Sequence, residues 1–104
     1  MDNRPLSEQA YEAGLDYSDK NAAASLLEDL KSSVLSRMMA ALGEMPVNRA
    51  EMKVKASDEW VDHVTRIVTA RKVSDDAKFY HEYLRARFAE WQSEQANDRT
   101  AARL

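Results

Sequence analysis

Three features of the chain predict an all-α fold. Only two Gly and two Pro occur in 104 residues, too few breaks for a turn-rich β protein. Ala, Leu, Glu, Lys, Arg and Gln, all good helix formers, are abundant. The larger apolar residues also recur three and four apart, the spacing that lines one side of a helix. A chain of this length forms one domain and buries only roughly two-thirds of the surface that its unfolded state exposes. Sixteen of its forty-six hydrophobic residues are alanines, so the core is lean. Self-association or a protein partner is therefore expected. The expected architecture is an antiparallel helical hairpin or a three-helix bundle, with one long C-terminal helix as a variant. It comprises an N-terminal arm over 1–17, a helical domain over 18–95 and a frayed tail over 96–104.

In residues 1–17, Pro5 and Gly14 interrupt the scattered Leu6, Tyr11, Leu15 and Tyr17. This pattern predicts a partly ordered arm with at most a short helical turn stopped at Gly14. The first strong helix is expected from Ser18 to Leu42. Ser18 can cap its start, Gly43 ends it and Pro46 lies just beyond. Ala23, Leu27, Leu30, Val34, Met38 and Ala41 form its stripe, widened by Leu35, Met39 and Leu42. The short link to Val47 forces an antiparallel return.

Asn48 and Glu51 have capping-box spacing for the next helix, and Ser57 with Asp58 can restart or bend it. Trp60, Val61, Val64, Ile67 and Val68 make its apolar face. Arg71 and Lys72 suit a C-terminal turn, where cations meet the negative end of the helix dipole. At about 100° per residue, the faces centred on Val64 and Leu84 lie roughly 160° apart. A break at Val73-Ser74, with Ser74, Asp75 and Asp76 opening a new helix, would bring both faces to one core, and it is the preferred reading. The alternative, one helix over 57–95, would be about 58 Å long and would demand a long hairpin or an intertwined dimer.

Five of the eight aromatic residues fall between Phe79 and Trp91. Tyr80, Leu84, Phe88 and Trp91 share one stripe with Ala77, the pattern of a core seam. Phe79 and Tyr83 stand four apart on a separate face. That face can contact a second helix of the same bundle, form a dimer or partner surface, or stack on bases.

No cysteine is present, which excludes a disulfide framework, thiolate metal ligands and a cysteine nucleophile. There is no Gly-rich phosphate loop or Gly-x-Ser-x-Gly elbow. His81-Glu82 begins a zinc-protease-like pattern, but Arg85 occupies the second ligand position. Glu59 and His63, four apart, are half a metal site at most and more often a simple side-chain pair. No catalytic residue, cofactor, metal or small-molecule substrate is indicated.

Without an apolar run near the roughly 20 residues of a membrane span, or a secretory leader, a cytoplasmic protein is expected. The net charge is −3, with an acidic head over 1–30 and a basic middle over 31–74. This asymmetry can serve recognition or pair the head with the middle internally. It lacks the strongly basic balance of a duplex-DNA binder.

Leu30-Lys31-Ser32-Ser33-Val34-Leu35, Arg49-Ala50-Glu51, Ala56-Ser57-Asp58-Glu59-Trp60-Val61-Asp62-His63 and Arg87-Phe88-Ala89-Glu90-Trp91 carry a resemblance. Over about residues 20–95 the overall pattern resembles small helical accessory proteins of tailed phages and prophages, some encoded in regions devoted to DNA recombination and replication. The resemblance implies a non-enzymatic accessory role, with recombination or replication machinery or a host defence complex as partner. It transfers no site residues.

The resulting expectation is a helical protein-protein interaction module that self-associates, binds a protein partner, or both. Phe79, Tyr83, Arg85 and Arg87 are its candidate contacts. The alternative is a single-stranded nucleic-acid accessory using Lys53, Lys55, Arg66, Arg71 and Lys72 with the aromatic helix.

Overall fold

The computed structural model describes residues 2–103. Three helices make up the fold: α1 (Leu6–Ala41), α2 (Val47–Lys55) and α3 (Asp58–Arg103). The long helices α1 and α3 pack as an antiparallel hairpin, and α2 caps its closed end. The molecule measures 83 × 22 × 16 Å, with a radius of gyration of 23.0 Å. A compact chain of about 100 residues would have a radius near 13 Å. The protein is therefore a slim rod with most of its surface exposed.

Helix α1 begins at Leu6, so the expected arm over 1–17 is a correction. Pro5 opens the helix, and its carbonyl accepts from the Glu8 and Gln9 amides at 3.1 Å each. Arg4 draws the incoming segment onto the helix by pairing with both Asp2 and Glu12. The Arg4 guanidinium holds the Asp2 carboxyl down to about 2, well below the usual carboxylate value. Gly14 does not stop the helix. A Cβ there would lie 3.0 Å from His81 Nε2, so this glycine makes room for a side chain of α3.

At the other end of α1, Gly43 adopts the left-handed conformation (φ 84°) that ends the helix. Its amide bonds to the Ala40 carbonyl at 3.2 Å. Pro46, rather than Asn48, precedes α2, and no side chain caps that helix. The capping-box expectation is thus replaced by a proline opening. Ala50 and Val54 are the buried residues of α2.

The break in the second half of the chain comes at Ala56-Ser57, not at Val73-Ser74. Ser57 donates its hydroxyl to the Val54 carbonyl and accepts from the Trp60 amide at 3.3 Å, closing α2 and capping α3. From Asp58 to Arg103 the helix is continuous. Phase explains the difference. The inward residues of α3 include Trp60, His63, Ile67, Ala70, Ser74, Ala77, His81, Leu84 and Phe88, a seven-residue repeat in steps of three and four.

A straight helix drifts about 20° per heptad against such a repeat, or about 60° over three heptads, and supercoiling removes this drift. The rest of the apparent conflict is one residue, about 100°, because the inward face is centred on His63 rather than Val64. Val61 and Val68, expected on that face, are more than half exposed.

Small side chains set the seam between α1 and α3. Ala24 and Ser74 are fully buried at its middle, and Ala10 and Ala13 pack on Leu84 toward the open end. Trp60 and Ile67 fill the closed end. Residues 96–103, expected to fray, continue α3 as exposed helix. Met1 and Leu104, the terminal residues of the expected arm and tail, lie outside the described residues.

Candidate interaction surface

Helix α3 carries two rows with different roles. The inward row, with small side chains at its middle and larger ones toward its ends, meets α1. A second row, on the side of the helix away from the seam, follows the same three-and-four spacing through Val61, Thr65, Val68, Lys72, Asp75, Phe79, Glu82 and Ala86, and all eight are exposed. Phe79 is 64% and Val68 62% exposed, although burial of such side chains normally supplies roughly 1.5–3 kcal/mol each.

Phe79 and Tyr83 are exposed, at 64% and 54%, and not part of the buried core. Arg85 and Arg87 are also exposed. Arg87 reaches the Tyr83 hydroxyl at 3.5 Å and approaches Glu90 at 4.0 Å. These four predicted residues therefore share the C-terminal half of α3 but do not form one compact cluster, because they lie on different sides of the helix.

The expected core seam through Tyr80, Leu84, Phe88 and Trp91 is corrected in part. Leu84 is buried and Phe88 half-buried, whereas Tyr80 and Trp91 are about half exposed. In the supercoiled register, His81 takes the inward position beside Gly14 and rotates Tyr80 outward. Phe88 stacks on Trp91 with ring centroids 6.0 Å apart. Together with Pro5, Leu6 and Ser7 they line a shallow cavity of ≈ 310 Å³ at the open end. Helix α1 adds Tyr11, Leu15 and Leu26, each at least half exposed.

The basic residues are dispersed. Lys53 and Arg66 are exposed on different helices. Lys55 pairs with Glu51 at 2.7 Å, and Lys72 binds Asp76 through contacts of 2.7 and 3.0 Å. Arg71 enters the interhelical seam. It donates to both carboxylate oxygens of Glu28 at 3.0 and 2.6 Å, to Asn21 Oδ1 at 2.8 Å and to Ser25 Oγ at 3.2 Å.

Among the described residues, this fork is the one ion pair that joins the acidic head to the basic middle. It holds the Glu28 carboxyl below its ordinary value and raises Arg71 above its own. Arg71 is thus a registry residue, missed in the sequence because its position suited a helix C-terminus. The available signal was its place one heptad after Val64 and three residues before Ser74.

His63 lies against Trp60, with ring centroids 5.7 Å apart, rather than in a ligand cluster with Glu59. Among the described residues, no group of three or more His, Cys, Asp or Glu is placed to hold a metal ion. No helix among them is long and apolar enough to cross a membrane. Comparison with protein-family models, curated proteins and solved structures gives no match.

Proposed function

We propose that this protein is a non-enzymatic helical interaction module that self-associates and presents its rod-like surface to a protein partner. The supporting observation is the outer row of α3, which exposes Val61, Val68 and Phe79 and is continued by exposed Tyr83. Large exposed apolar patches on a folded domain mark association sites. The phage-accessory resemblance supplies the partner class to try first, recombination or replication machinery or a host defence complex.

Sedimentation velocity tests the reading: the wild type associates with rising concentration, and a Phe79→Ala/Tyr83→Ala variant loses that association while keeping its helix content. Unchanged association in the variant, or none in the wild type together with no binding to the proposed machinery, would remove it.

A single-strand nucleic-acid role is the second reading. It is supported by exposed Phe79 and Tyr83 near exposed Arg85 and Arg87. Three of the five basic-middle candidates, Lys55, Arg71 and Lys72, are instead engaged with acids of the same chain. This role requires binding to labelled single strands that weakens steeply as salt rises. No binding at low salt eliminates it.

A further inference from the structure

We propose that the outer row of α3 is an isologous dimer seam, in which α3 of a second copy packs antiparallel with Val68 against the partner copy's Phe79 and Lys72 against its Asp75. The inference deepens the self-association reading and rests on it.

Three observations carry it. The row from Val61 to Ala86 is exposed throughout. Its three-and-four spacing is the repeat that lets two helices remain in contact along their length. It covers twenty-five residue steps, about 37 Å at 1.5 Å per residue, longer than an incidental patch.

The third observation is charge order. Lys72 and Asp75 occupy adjacent positions at the middle of the row, both exposed. A parallel, in-register pair would set Lys72 against Lys72 and Asp75 against Asp75. Reversing one helix about the midpoint between them sets each lysine against the other copy's aspartate, twice by symmetry. The same operation brings Val68 onto Phe79, Thr65 onto Glu82 and Val61 onto Ala86.

Every pair formed in this way is compatible: ammonium with carboxylate, aliphatic with aromatic, hydroxyl with carboxylate, aliphatic with methyl. Shifting the second helix by one residue removes these matches. Lys72 already holds Asp76 of its own helix at 2.7 Å, so its head group is stationed beside the row. Like charges directly opposed in an interface cost several kcal/mol, so this central quartet fixes the direction of the pairing.

The natural absence of cysteine permits a register-specific test on the full chain. V61C and A86C variants are oxidised separately and as a mixture, after circular dichroism shows unchanged helix content. The mixture is expected to yield a covalent dimer containing one chain of each, and neither variant alone should yield one, since like positions lie about 37 Å apart. In sedimentation, D75K is expected to weaken association at least roughly tenfold, and the exchanged pair K72D/D75K to recover it to within about threefold.

A dimer by sedimentation without the mixed disulfide overturns this seam but leaves self-association intact. Disulfides from V61C alone also overturn it, since they require a parallel pair. A chain that stays monomeric at all concentrations overturns both the seam and self-association.

Discussion

The inward and outer rows of α3 both carry apolar bulk, but only the inward row buries it, in Trp60, Ile67 and Leu84. The inward row holds Ser74 and Ala77, both buried, and half-buried Ala70 and His81; the outer row exposes Val61, Val68 and Phe79. Bulk and burial are therefore partly uncoupled. The inner seam relies on close approach, with Ala24 and Ser74 fully buried, and on the forked Arg71–Glu28 contact for register. The outer row has the apolar bulk that a contact with a second helix requires. One helix thus combines a register-setting side with a side that exposes apolar residues.

The contrast can be broken most severely at the closed end. Trp60→Ala removes the largest buried side chain of α3 and should destabilise the hairpin by about 3–5 kcal/mol, read as a lower urea midpoint. Ala24→Leu comes next: at a fully buried position, added bulk should separate the helices and cost about 1–3 kcal/mol. Tolerance of leucine there would show that the seam is looser than the structure requires.

A smaller effect is expected from acid. Because Arg71 depresses the folded-state value of Glu28, ionised Glu28 contributes stability at neutral pH. That contribution is lost as pH falls through the depressed folded value, beginning below about pH 4.3, the usual Glu value. Arg71 remains charged throughout this range. Arg71→Met should lower stability at pH 7 and flatten this part of the pH profile, measured by thermal melts between pH 2 and 7. An unchanged acid limb would show that other carboxylates dominate it. The smallest effect on the isolated fold belongs to Phe79→Ala and Tyr83→Ala, each within about 0.5 kcal/mol in dilute solution.

The helical class, the turn at Gly43 and the antiparallel return were legible because each has a local cause: composition, a left-handed residue and a short link. The start of α1 was not, because Gly14 reads as a stop until His81, far away in the chain, is placed over it. Nor was the continuity through Val73–Asp76, where Ser74 resembles a cap but is a small seam residue facing α1. The apparent break came partly from a helix pitch of 3.6 residues applied over three heptads and mostly from centring the face on Val64, one residue beyond His63. The separateness of the Phe79/Tyr83 face was visible in the spacing, whereas its exposure required the position of α1. Lys72 and Asp75 read as a terminal cation and a capping acid until the helix proved continuous.

The central claim is that the outer row of α3 binds another helix while the inner row holds the fold. Sedimentation velocity of the wild type and Phe79→Ala/Tyr83→Ala across a hundredfold concentration range, at matched helix content, tests it most directly. The account predicts a concentration-dependent dimer for the wild type and a monomer for the variant. Equal association of both proteins, or a monomeric wild type throughout, would contradict it.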